Sequence, residues 1–217
     1  MTYILYGHRR SGSLAVEMAL AEIGADHRVQ DVYLETGAQR DTSYAAINPQ
    51  RKVPALVTPL GETLTESVAI LLTLERRHPE AGLLPTDDVE RARALRWLLF
   101  VATELYPIVE MNDYPERFSP SDDTAAALRE IARSIWRERW LRVEAEIAGE
   151  PYLLQSGFCL TDRYIAVVSR WAQQDDWRPA NLPKVETLTA AVAARSATAP
   201  VWSRHQPDVT PNRFSET

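Results

Sequence analysis

Few side chains in this sequence combine a reactive group with a spacing that lets it act with a neighbour. Ser11, Gly12 and Ser13 place two hydroxyls just ahead of Leu14 to Ile23, a run in which Val16, Ala19, Leu20 and Ile23 recur at helical spacing. Taken alone, such a segment is a loop ending in a helix cap. Glu66 and Ser67 likewise precede a second helical run. Cys159 is the only cysteine, which excludes an intrachain disulfide, and His8, His27, His78 and His205 are too scattered for a metal-ligand pattern. No metal is expected, and the simplest setting is reducing cytoplasm. Lys and Arg total 24 against 30 Asp and Glu, a net charge of −6 with no basic concentration, which argues against a nucleic-acid partner.

These residues need elements to position them. At 217 residues and 45% apolar composition, the chain can bury a core as one large domain or two small ones. Its apolar runs fall short of the roughly 20 residues that cross a bilayer, and Met1 to Tyr6 lacks a basic leader, so neither membrane nor export is expected. Residues 1–79 alternate strand-like and helical patterns. Strands are expected over Thr2–Tyr6 and Val29–Tyr33, helices from Ser13 and weakly over Gln39–Ala46, a hairpin of Ala55–Thr58 with Glu62–Leu64, and a helix from Glu66 to Arg77. The order is βαβαββα. Residues 80–86 hold Gly82 and Pro85 and read as a linker, and residues 87–217 are helical throughout. There, a helix capped at Thr86 is expected to stop at Pro107, and a second runs from Ser121 to Gly149 with Trp136 and Trp140 on its apolar stripe. A third spans Leu160–Gln173, and a fourth follows Pro183.

The first half has the order of a thioredoxin-like sheet, a fold in which a cis proline commonly opens the third strand, and Val53-Pro54 stands at that position. Such a proline takes the preceding peptide out of the ladder, leaving Val53 to meet an extended ligand. Three segments then resemble the cytosolic glutathione transferase superfamily. Asn48 to Leu56 is similar to its Asn-Pro-x-Gly-x-Val-Pro-x-Leu motif, Glu66-Ser67-Val68-Ala69-Ile70 to its Glu-Ser-x-x-Ile motif, and Phe158 to Asp162 to its Phe-Ser/Thr-x-Ala-Asp capping box. Trp97 with Ala102 to Leu105, and Tyr164 with Arg170-Trp171, resemble segments of the bacterial beta class.

That resemblance implies a thioredoxin-like domain followed by a helical bundle, a homodimer, and glutathione as co-substrate. Its sulfur would be directed as thiolate at a small hydrophobic electrophile, with Tyr106, Met111 and Tyr114 able to wall the acceptor pocket. Glu66 and Ser67 would hold the γ-glutamyl head and Val53 the cysteinyl backbone, with Arg10 and Lys52 in a positive rim shared with Arg9 and Arg51. The catalytic group is left open: Gly12 stands where the beta-class cysteine belongs, Arg10 where other classes often have serine, and Tyr106 replaces the beta-class histidine. Ser11 is the first candidate for the hydroxyl that favours thiolate, Ser13 the second, Tyr6 a distant third. Arg51 replaces a motif glycine, and Cys159 the cap serine, so Thr161 is expected to cap while Asp162 keeps the acidic position. The alternatives are a binding protein that has lost catalysis, and a glutathione-dependent isomerase or disulfide reductase.

Overall fold

The computed structural model describes residues 2–171 and 176–206. Strand β1 (Tyr3–Gly7), helix α1 (Ser13–Glu22) and strand β2 (His27–Asp31) form a parallel crossover; β2 lies two residues earlier than expected. After the short helix α2 (Thr42–Ala45) come β3 (Ala55–Val57), β4 (Thr63–Thr65) and α3 (Ser67–Arg77). The sheet order is β2-β1-β3-β4, with β3 antiparallel to both neighbours and Ala55 registered on Tyr6 and Thr65. This is the expected thioredoxin-like arrangement, and the Val53–Pro54 bond is cis.

The remaining helices form the expected C-terminal helical region: α4 (Asp88–Phe100), α5 (Tyr106–Asp113), α6 (Asp122–Glu146), α7 (Leu160–Val168), α8 (Trp177–Asn181), α9 (Pro183–Ala194) and α10 (Ala199–Arg204). Helix α4 is capped by Asp87 rather than Thr86, the Asp87 carboxylate accepting from Val89 N and Glu90 N. The chain also does not stop at Pro107. Residues Val101–Leu105 form a wide π-type turn, Tyr106 N–H bonds back five residues to Val101 O, and Pro107 falls in the first turn of α5, where its missing N–H is not needed. Tyr106 is therefore at a helix start instead of beyond a helix end. Helix α7 stops at Val168, so Trp171 leaves the helix; the expected continuation to Gln173 lies outside the described residues. Helices α8 and α10 are short and were not expected.

One continuous apolar core joins the sheet to the helices, from Leu5, Met18, Leu56 and Leu71 to Trp136, Trp140 and Ile165. Leu83 and Leu84 of the segment expected to be a linker are buried in it, and Leu83 O accepts from Leu160 N at 2.7 Å. Glu22 of α1 is held by Arg163 of α7, fully buried, and by Arg195 after α9. Cys159, not Thr161, takes the N-cap of α7; the Thr161 hydroxyl donates to Ala94 O at 2.9 Å instead. Among the described residues no helix is long and apolar enough to cross a membrane.

Candidate active site

The turn between β1 and α1 closes on its own polar groups. His8 O accepts from the Ser11 hydroxyl at 2.7 Å and the Ser13 hydroxyl at 3.0 Å, and His8 N donates to Ser13 Oγ at 3.2 Å. A Cβ at Gly7 would stand 2.6 Å from Ser13 Cβ and Oγ, so only glycine lets strand and helix approach this closely. Ser13 is 1% exposed and enclosed by that approach. Ser11 is half-buried, and its Oγ accepts from Ser13 N and lies 2.9 Å from Ser13 Oγ. If Ser13 donates to Ser11, the Ser11 proton still lies on His8 O, and Ser11 can donate to a ligand at the start of α1 only by turning away from that carbonyl.

Gly12 precedes α1 and faces across to two other segments. Its Cβ position is 3.0 Å from the Tyr106 hydroxyl and 3.6 Å from Pro54 Cδ, so a side chain here would fill the space between the cis proline and the tyrosine. The Tyr106 ring meets Trp171 edge-on with centroids 4.8 Å apart. Burial, reinforced by the charges of Glu66 and Glu110, pushes the Tyr106 phenol up to about 12, so it stays protonated and acts as a hydrogen-bond donor.

The other candidate contacts lie on the segment leading into β3 and at the start of α3. Val53 lies outside the ladder, which begins at Ala55. Lys52 O is fixed by the Tyr44 hydroxyl and the Asn48 amide, both at 2.7 Å, which sets the approach to Val53; Lys52 Nζ lies 3.2 Å from Glu110. Glu66 is exposed at φ 62°, immediately before α3, and Ser67 opens that helix. The Ser67 hydroxyl is 2.9 Å from the buried Tyr164 hydroxyl of α7. With Tyr164 as donor, Ser67 keeps its own proton for an anion at the α3 N-terminus. Tyr164→Phe is expected to raise the glutathione Kd about three- to tenfold with little change in kcat, as measured by titration calorimetry and steady-state rates.

Arg10 is exposed at φ 62°, with its peptide held from the helical region: Arg10 N donates to His205 Nδ1 at 3.2 Å, and Trp171 Nε1 donates to Arg10 O at 2.9 Å. Cys159 is far from reactive, since burial pushes its thiol up to about 12. Among the described residues no group of three or more His, Cys, Asp or Glu is placed to hold a metal. The sequence had singled out Ser11, Ser13, Arg10, Lys52, Val53, Glu66 and Ser67; Tyr164, Trp171 and His205 at their backs were missed as partners, although the beta-class resemblance had touched the segment from Tyr164 to Trp171.

Comparisons with known proteins identify the relatives of this chain. Residues 1–76 match the family model described as Glutathione S-transferase, N-terminal domain. The glutathione S-transferase GstA of Escherichia coli O157:H7 is 31% identical over 162 residues, 74% of this chain and 77% of that protein. A maleylacetoacetate isomerase of Pseudomonas aeruginosa is 38% identical over 103 residues, 46% of this chain and 49% of its own. Among solved structures, a glutathione transferase homologue from Sulfitobacter with bound glutathione superposes with a TM-score of 0.87 at 28% identity, covering 94% of this chain and 98% of that one. A cis proline facing the N-terminus of α1, a Glu-Ser pair opening α3 and the match along both halves lead to one conclusion: the chain belongs to the glutathione S-transferase family.

Proposed function

We propose that the protein conjugates glutathione to a small hydrophobic electrophile, with the tripeptide laid along Val53 and its γ-glutamyl head on Glu66 and Ser67. The observation that carries this reading is the convergence of three segments on one cleft, Gly12 facing both Pro54 and the Tyr106 hydroxyl. An extended ligand pairing with Val53 would bring its sulfur toward the N-terminus of α1, where the Ser11 hydroxyl and the helix dipole favour thiolate over thiol. The bond to the electrophile then forms from that sulfur, and the leaving group departs with its electron pair. Tyr106, Trp171 and Met111 offer an apolar and aromatic wall for the acceptor. Arg10 and Lys52 add positive charge at the rim. Gly12 in the beta-class cysteine position makes the sulfur wholly the ligand's contribution. Homodimeric assembly, a cytoplasmic setting and a division into residues 1–79 and 87–217 belong to the same reading.

A second reading is favoured by the 38% identity to a maleylacetoacetate isomerase. There the thiolate would add to a conjugated cis double bond, the single bond so formed would rotate, and elimination would expel the thiolate again with its electron pair. Glutathione is consumed in the first reading and conserved in the second. Retention on immobilised glutathione, followed by an assay of thiol loss with 1-chloro-2,4-dinitrobenzene, tests the proposal; absence of both retention and turnover would overturn it. Ser11→Ala is expected to lower kcat about tenfold or more while leaving retention intact. Should Ser13→Ala prove crippling and Ser11→Ala silent, the order of the two serines is reversed.

A further inference from the structure

We infer that His205 is a positioning residue for the β1–α1 turn, holding the Arg10 peptide and through it the Ser11 hydroxyl and the leading end of α1. The inference rests on the proposed role of that turn in meeting the glutathione sulfur.

Arg10 has φ 62°, a left-handed conformation that a non-glycine residue keeps only when its surroundings hold it. Here both of its peptide groups are held by side chains from the far end of the chain. Arg10 N–H reaches His205 Nδ1 at 3.2 Å, and Arg10 O receives Trp171 Nε1–H at 2.9 Å. A backbone N–H can only donate, so Nδ1 presents its lone pair and the ring proton resides on Nε2. That proton is used too: Nε2 lies 2.9 Å from Glu17 Oε2, and Glu17, fully buried on α1, is also ion-paired with Arg204. One ring, 3% exposed, thus bridges the second turn of α1 to the loop that leads into it.

The charges around the ring preserve this tautomer. Burial, then Arg204, Arg170 and Arg9, lower the imidazole to about 4, with Asp31 opposing weakly and Glu17 accepting from Nε2. Near neutral pH the ring is uncharged and Nδ1 stays an acceptor. Tyr106 lies against Trp171, the other half of the clamp, so the same contacts bracket the cleft from two sides.

Two isosteric variants separate the roles. In His205→Asn the amide oxygen takes the place of Nδ1, while in His205→Gln the amide nitrogen takes the place of Nε2. Both are to be examined by hydrogen exchange over residues 8–12, by glutathione binding, and by kcat with 1-chloro-2,4-dinitrobenzene. The Gln variant is expected to exchange at Arg10 about tenfold faster and to lose about tenfold in kcat, with glutathione affinity within about threefold of wild type. The Asn variant is expected to recover most of both losses. Equal behaviour of the two variants, or unchanged exchange in the Gln variant, would overturn the inference, as would faster exchange with undiminished kcat. If the wild type neither binds glutathione nor turns over, the proposed function fails and the catalytic part of the inference with it, while the exchange contrast still decides whether His205 holds the turn.

Discussion

Asp162→Ala is expected to lower the unfolding free energy by about 3 to 5 kcal/mol in urea titrations at neutral pH. Asp162 is fully buried, and its two carboxylate oxygens receive Leu153 N and Cys159 N, each at 2.7 Å. It therefore ties the loop before α7 to the first turn of that helix. Removing the carboxylate leaves two buried N–H groups without acceptors and opens a small cavity beside Arg163, itself fully buried. A loss below about 1 kcal/mol would mean that water replaces the carboxylate and that the box contributes little. Asp162→Asn adds a pH signature. Burial raises the Asp162 carboxyl to about 6, against the downward pull of the two N–H bonds and the Arg163 charge. Between about pH 4 and 6 the folded chain then holds a proton that the unfolded chain has released, so this group's contribution is greatest below that window and falls as pH rises through it. Asparagine has no such dependence. Its deficit relative to wild type should consequently be larger at pH 4.5 than at pH 7.5, by about 2 kcal/mol; a larger deficit at pH 7.5 would reverse the assignment.

Where a role depends on local pattern, the sequence was a good guide. Alternating short strands and helices yielded the βαβαββα order, the position of Val53-Pro54 anticipated the cis bond, and Glu66-Ser67 was placed at the opening of α3. Where a role depends on a partner far along the chain, it was not. Ser67 and Tyr164 are separated by 97 residues, and Arg10 and His205 by 195. No periodicity marks such pairs, because each residue satisfies its own helix or turn regardless of what it later meets. Two local readings failed for tertiary reasons. Pro107 reads as a helix terminator, but the π-type turn before it relieves the backbone and carries Tyr106 to the cleft. Thr161 reads as a better cap than Cys159, yet its hydroxyl is claimed by Ala94 O, and the Asp162 carboxylate serves the cap from the other side. The tryptophan stripe of α6 proved to be core, with the Trp136 and Trp140 rings tilted at 59° to each other, centroids 5.4 Å apart, and buried. The sequence ranked Ser11 ahead of Ser13 only by its distance from the expected slot; burial of Ser13 behind Gly7 is what distinguishes their settings in the structure.

Glu66→Gln is expected to weaken glutathione binding about ten- to a hundredfold while leaving kcat at saturation within about threefold of wild type. The argument begins with the ligand's head, which carries an α-ammonium and an α-carboxylate a few ångströms apart. The N-terminus of α3 offers free N–H groups and the Ser67 hydroxyl to the carboxylate, but these donors can only repel the ammonium. Glu66 is the adjacent acid, exposed and turned out of the helix by its φ of 62°, and in the proposed binding mode it would supply the missing acceptor. Glutamine keeps the shape and one oxygen but removes the charge, so the loss is that of a charge-assisted hydrogen bond and not of packing. Because the head group is remote from sulfur, the interaction is equally present in ground and transition states, and the deficit should fall on KM and Kd. The charge of Glu66 also bears on the Tyr106 and Tyr164 phenols, though burial is the larger cause that holds both up. Unchanged affinity in the variant would release Glu66 from glutathione. Loss of kcat with unaltered Kd would instead move its action to the sulfur.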